Sequence, residues 1–233
     1  MGPRDVLVRM AETYATLETY RDRGTCTLGG GRTPTTVSFA TAFARPDRLR
    51  LELGILGKRS ILRLDHGVVE HMEPIAGRGT AEAMPSLAIG IASMTGISFG
   101  AAHHVPRVLL PDHVTGRMLG EGANPVLQGI EEVEGAPCHR IEFSLSREGT
   151  RRWIFIGVGD FLLRRVHETR RLPLRPMKAS TLAGFLGAAR TEAGAAFIRD
   201  VYERSQRSES RTVTVDYSPE ANLDLEEAAF ALV

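Results

Sequence analysis

The chain has 233 residues, 42% of them apolar and 24% charged, with a net charge of +1. That composition fits a folded globular chain of one large domain or two small ones. The charge balance excludes a bulk electrostatic attraction to nucleic acid or to an acidic membrane surface.

In chain order, Met1 to Asp5 carries no apolar stretch of the kind that opens a secretory leader, and Val6 departs from the myristoylation pattern. Such a start fits a cytoplasmic chain and equally a mature chain whose leader was removed. Arg4 to Tyr20 is predicted to be a helix: Val6, Leu7, Met10, Ala11, Tyr14, Leu17 and Tyr20 recur at helical spacing among charged residues. Gly24 to Leu28 is a short strand and Thr35 to Phe43 a second. Gly29-Gly30-Gly31 between them lacks the Lys-Ser/Thr ending and following helix of a phosphate loop, so it is a hairpin tip.

Phe43 to Pro74 organises the first half. Leu49, Leu51 and Leu53 alternate with Arg50 and Glu52, the period-2 pattern of a half-buried strand. Ile61, Leu62 and Leu64 resume after a break at Gly54 to Lys58. Asp65-His66-Gly67 turns the chain back into Val68 to Met72, with residues suited to positive φ. The whole reads as an antiparallel meander with one apolar face.

Ala83 to Ala102 holds no charged residue. A membrane span is rejected, because Pro85, Gly90, Gly96 and Gly100 interrupt it and large aliphatics are few. Met84, Leu87, Ile91 and Met94 mark one short helix, broken at Ile97 to Phe99. Pro106 and Pro111 bracket a second apolar piece, Val108 to Leu110. These pieces read as helices lying on the sheet, and their residues fit movable covers and ordinary cross-sheet core helices equally well. Strands follow at Val126 to Glu134, Cys138 to Leu145, Arg151 to Gly157 and Phe161 to Thr169. Leu172 to Ser208 is a long helical insertion, Thr212 to Tyr217 a last strand, and Asp224 to Glu227 an acidic turn before Phe230.

Tests for chemistry yield no catalytic or metal constellation. The seven histidines include the adjacent His103 and His104, which diverge on either a helix or a strand, and no HExxH or Cys/His cluster occurs. Ser60, Ser86, Ser93 and Ser98 lack the GxSxG elbow. Cys138 and His139 point apart on a strand, and Glu131, Glu132 and Glu134 form a solvated strand end. Cys26 and Cys138 have no CxxC spacing, leaving one disulfide or two buried thiols. No enzyme, cofactor or metal is expected. The fold expected is α+β: one domain over 1–233, about ten antiparallel strands curved into an incomplete, half-open barrel, with helices over its concave apolar face.

The segments TAFARPDRLRLEL, SILRLDHGVVEHMEP, EGAPCHRIEFSLSREGTRRWIFIGVGDFLLRRVHET and RTVTVDYSPEANLDLEEAAF resemble the LolA/LolB-like superfamily of bacterial lipoprotein carriers and outer-membrane lipoprotein-sorting proteins. The strongest signals are Arg45-Pro46 and the Asp65-His66-Gly67 turn followed by Pro74. The strands are leucine-rich where carriers are aromatic-rich, and 172–208 lies outside the usual pattern. The resemblance implies binding or transport of lipid or lipoprotein acyl chains in an apolar cavity, without catalysis, in the periplasm or envelope; a cytoplasmic location stays open. Its walls would be Phe39 and Phe43, then Leu49, Leu51 and Leu53, then Ile61, Leu62 and Leu64. The covering pieces would add Met84, Leu87, Ile91, Met94 and Leu109, and the second half Ile141, Phe143, Trp153 and Phe155. Arg45 matches the carrier arginine that holds the lid closed. The alternative implied is an envelope sensor or scaffold binding a protein through the same fold. Partners would be acyl chains or an envelope protein and no nucleic acid, with peripheral membrane contact but no transmembrane span.

Overall fold

The computed structural model describes residues 1–30, 34–55, 57–72, 80–96, 98–115, 119, 123–144, 150–172, 177–188, 191–206 and 209–232. It opens with α1 (Pro3–Thr16), which buries Val6, Met10 and Tyr14, one residue per turn. Pro3 starts the helix, and the Gly2 amide donates to Asp5 Oδ2 at 2.8 Å. The helix ends earlier than the apolar spacing predicts. Leu17 is already extended, and Tyr20 belongs to the first strand.

A meander follows: β1 (Thr19–Gly29), β2 (Thr35–Ala44), β3 (Arg48–Ile55), β4 (Lys58–Asp65), β5 (Val68–Met72) and β6 (Glu82–Ala83). The β4–β5 turn uses His66 at φ 48° and Gly67 at φ 81°, as its sequence demands. Two short helices come next, α2 (Leu87–Thr95) and α3 (Ala101–Leu109). Pro106 lies inside α3 instead of opening a separate piece, so the second apolar segment is one helix beginning at Ala101. The second half runs β7 (Ala123–Val133), β8 (Ala136–Ser144), β9 (Arg151–Gly157) and β10 (Leu163–Leu172). The insertion forms two helices and not one: α4 (Ala179–Ala188) and α5 (Glu192–Ser205). β11 (Glu209–Tyr217), β12 (Glu220–Ala221) and a 3-10 turn (Glu227–Phe230) close the chain. Gly31, Pro74 and Leu145, singled out in the sequence, lie outside the described residues.

All these strands join one antiparallel sheet in the order β6-β5-β4-β3-β2-β1-β11-β10-β9-β8-β7, with β12 paired to β1. The two meanders meet where β1 pairs with β11 through Cys26↔Val215 and its neighbours. The sheet remains open, with β6 and β7 at its edges. Such a sheet must cover its apolar face, and one core cluster does so, joining α1, α2 and α3 to strands of both halves. The fold is therefore α+β, an open antiparallel half-barrel with five α-helices among the described residues. None of those helices is long and apolar enough to cross a membrane.

Candidate functional site: the covered apolar face and its polar inclusions

Alternation along each strand decides what faces the helices. Phe39 and Phe43 on β2 stand opposite Leu53 and Leu49 on β3, and Leu51 and Leu49 stand opposite Leu62 and Leu64 on β4. All seven of these β2, β3 and β4 residues belong to the main core, as do Ile141 and Phe143 from β8. Leu87, Ile91, Met94 and Leu109 meet them from above, and the half-buried Met84 packs at the rim. Three expected wall residues stand elsewhere. Ile61 is buried but alternates away from Leu62, outside that cluster. Trp153 and Phe155 pack with Val133 and Cys138 in a separate cluster, because Ile154 and Ile156 take the inward positions of β9.

The cover over the leucine strands is α2. It carries no charged side chain, and Ser86 caps it by accepting the Ile89 amide at 3.3 Å. Gly90 lets it sit close: a Cβ there would stand 2.4 Å from Leu62 Cδ1. α3 continues the cover with Ala101, Ala102, Val105, Val108 and Leu109 buried. Arg45 does not touch either helix through its hydrogen bonds. Its Nε donates to the Leu17 carbonyl at 2.7 Å and its Nη2 to the Tyr14 carbonyl at 2.9 Å, so it closes the carboxyl end of α1.

Polar pairs lie within this face as well, among them Arg152 with Glu168, whose Nη2 and Oε2 are 2.9 Å apart. On β1, Tyr20 donates to Asp22 Oδ2 at 2.8 Å, and Tyr14 of α1 accepts the Leu163 amide at 3.2 Å. Burial pushes the Asp22 carboxyl up to about 6, partly offset by Thr41 and Tyr20, and drives the Tyr14 and Tyr20 hydroxyls above their ordinary range. Oδ1 of Asp22 makes no well-formed hydrogen bond among the described residues, although Thr41 stands opposite it on β2. At α3, His104 Nδ1 lies 2.7 Å from the Tyr217 hydroxyl. Between β4 and β5, Ser60 Oγ lies 3.0 Å from His71 Nε2. That pair has the composition of a nucleophile and base, but Ser60 is 0% exposed, which leaves a substrate carbonyl no access to it. Sequence reasoning missed Tyr20 and Asp22 because it began β1 at Gly24. The inward series Tyr20, Asp22, Gly24, Cys26 would have shown them.

Cys26 and Cys138 are buried thiols that form no disulfide. Among the described residues, no group of three or more His, Cys, Asp or Glu is placed to hold a metal ion. The insertion helices stand apart from this core: Phe185 and Phe197 are exposed, at 52% and 51%.

No family model matches the chain, and no curated protein matches it. Several solved structures are similar to it. Mycobacterium tuberculosis lipoprotein LppX aligns with 95% of this chain and 96% of its own at 9% identity and a TM-score of 0.47. A LolA superfamily protein from Nitrosomonas europaea aligns with 99% of this chain and 98% of its own at 8% identity and a TM-score of 0.36. MucB in the Pseudomonas aeruginosa MucA/MucB complex aligns with 98% of this chain at 12% identity and a TM-score of 0.44; the chain spans 62% of that structure. The likeness is one of fold.

Proposed function

We propose that the chain binds acyl chains of lipids or lipoproteins on its covered apolar face, without catalysis, in the cell envelope. The observation that carries this reading is the seat of α2: an uncharged helix resting through Gly90 on Leu62, above the inward leucines of β3 and β4. Parting α2 from those strands uncovers apolar surface on both sides. Each methylene that refills the gap regains about 0.8 kcal/mol, so an acyl chain compensates the opening where a polar ligand does not. Arg45, at the end of α1, would set how readily the helical cover yields. In native mass spectrometry of protein recovered from its host envelope, the reading expects a fraction carrying the added mass of an acyl lipid or lipopeptide. Apo protein alone, from host membranes rich in such lipids, would count against it.

The exposed phenylalanines favour a second reading. Phe185 on α4 and Phe197 on α5 offer apolar area outside the core, which suits a protein partner. This reading expects a stoichiometric partner captured from envelope extract by the wild type and lost with Phe185→Ser/Phe197→Ser, while lipid binding persists.

A further inference from the structure

The outer face of β7 to β11 carries a groove of about 420 Å³ that acyl binding does not use. Two rows cross it. In the first, Arg140 on β8 and Arg165 on β10 both stand opposite Phe155 on β9, and their guanidinium carbons lie 6.0 and 5.9 Å from its ring centre. In the second, Trp153 stands beside His167, ring centres 5.4 Å apart, and His167 Nδ1 lies 2.9 Å from Thr214 Oγ1. Arg140 also lies over Trp153, 5.8 Å from its ring centre.

The cations in these rows are only partly used. Arg140 donates through Nη1 to Glu131 at 2.8 Å, and Arg165 through Nε to Asp216 at 2.5 Å. A guanidinium has five N–H donors. Arg140 Nε and Trp153 Nε1 are shut off from solvent, and neither has a hydrogen-bond partner among the described residues. Unpaired buried donors are costly, and here two of them adjoin one groove. His167 lies within the influence of both cations. Burial lowers the His167 pKa, and Arg165 and Arg140 lower it further, against a smaller opposing effect of Asp216. A stack of arginines on aromatic rings would be complete without spare donors. The guanidinium N–H groups of Arg140 and Arg165 outside these two ion pairs are the donors this groove offers a ligand, and its acceptors Glu131 and Asp216 are already engaged.

We propose that this outer groove binds an oxyanion of the phosphate class, held between Arg140 and Arg165 beside Trp153. The site stands on the opposite face from the acyl-binding reading and does not depend on it. Phosphate oxygens match forked guanidinium donors, which is why arginine pairs recognise them. The group could be free or the headgroup of a lipid, and the test separates these sources.

Trp153 is the only tryptophan in the sequence, so its fluorescence reports the groove. The full chain is titrated at constant ionic strength with inorganic phosphate and, separately, with dihexanoyl phosphatidic acid as a soluble monomer. A saturable change with inorganic phosphate assigns the site to the free oxyanion; one seen only with the phosphatidic acid assigns it to a headgroup. In either case Arg140→Gln and Arg165→Gln are expected to raise Kd about tenfold or more, the loss expected for charge-assisted contacts. The wild type offers a readout that needs no variant: a bound dianion raises the pKa of His167 in an NMR titration. No saturable change with either probe, an unchanged Kd in both folded variants, or an unmoved His167 pKa at saturating probe overturns the proposal.

Discussion

Asp22 makes the folding free energy of this chain depend on pH in a direction opposite to that of most carboxylates. Its side chain is 1% exposed on the inward face of β1, with one good hydrogen bond from Tyr20. Burial raises it from 3.8 to about 6. A carboxyl whose folded pKa lies above its unfolded one contributes fully below the unfolded value, and that contribution is lost as pH rises through the folded one. The window therefore opens near pH 4 and closes just above pH 6. Each pKa step is worth about 1.4 kcal/mol, so the loss across the window is about 3 kcal/mol. Asp22→Asn removes the titration while its amide oxygen can still accept from Tyr20. Urea unfolding from pH 4 to pH 8 should show the wild type losing stability against the variant by up to about 3 kcal/mol, most of it between pH 4 and 6.5. The difference between the two curves is the test, because the new amide protons shift the variant's level but not its slope. Parallel curves across this range would refute a buried, ionising Asp22.

Three other outcomes follow from the same geometry. Arg45→Leu frees the Leu17 and Tyr14 carbonyls at the end of α1, which should cost about 2–3 kcal/mol and speed hydrogen exchange throughout α1; unchanged protection of α1 would contradict the latch. Gly90→Val drives a side chain into Leu62 and should lower stability by about 1–3 kcal/mol, whereas Gly96→Ala, with nothing within 4 Å, should leave the melting temperature nearly unchanged. Cys26 and Cys138, both buried and neither in a disulfide, should react with a thiol reagent only after unfolding and leave the native Tm insensitive to reductant.

Much of the fold was legible where one period dominates. Leu49, Leu51 and Leu53 alternate without interruption, and the structure puts all of them inward. The Asp65-His66-Gly67 turn was equally plain, because few residues tolerate the positive φ it needs. Trp153 and Phe155 were not placed correctly. Both faces of β9 are apolar, so alternation cannot say which side is core, and the neighbours decide: Ile154 and Ile156 meet the main cluster, while Phe155 joins Cys138 and Val133. The end of α1 was missed for a related reason. Leu17 and Tyr20 continue the helical spacing and are buried, but as part of the turn and β1, where Arg45 takes the last carbonyls. That contact joins residues 28 positions apart, beyond the reach of a local pattern. The insertion broke into two helices at a point where its small residues kept one periodicity. The oxyanion groove was invisible to sequence, since Arg140, Trp153 and Arg165 meet only through the registers of β8, β9 and β10.

Fluorescence titration of delipidated protein with cis-parinaric acid asks whether the covered face takes acyl chains. Saturable binding near one site per chain is expected, displaced by unlabelled fatty acid and released at a different rate in Arg45→Leu. A signal that only rises linearly with ligand, as free partitioning gives, would contradict it.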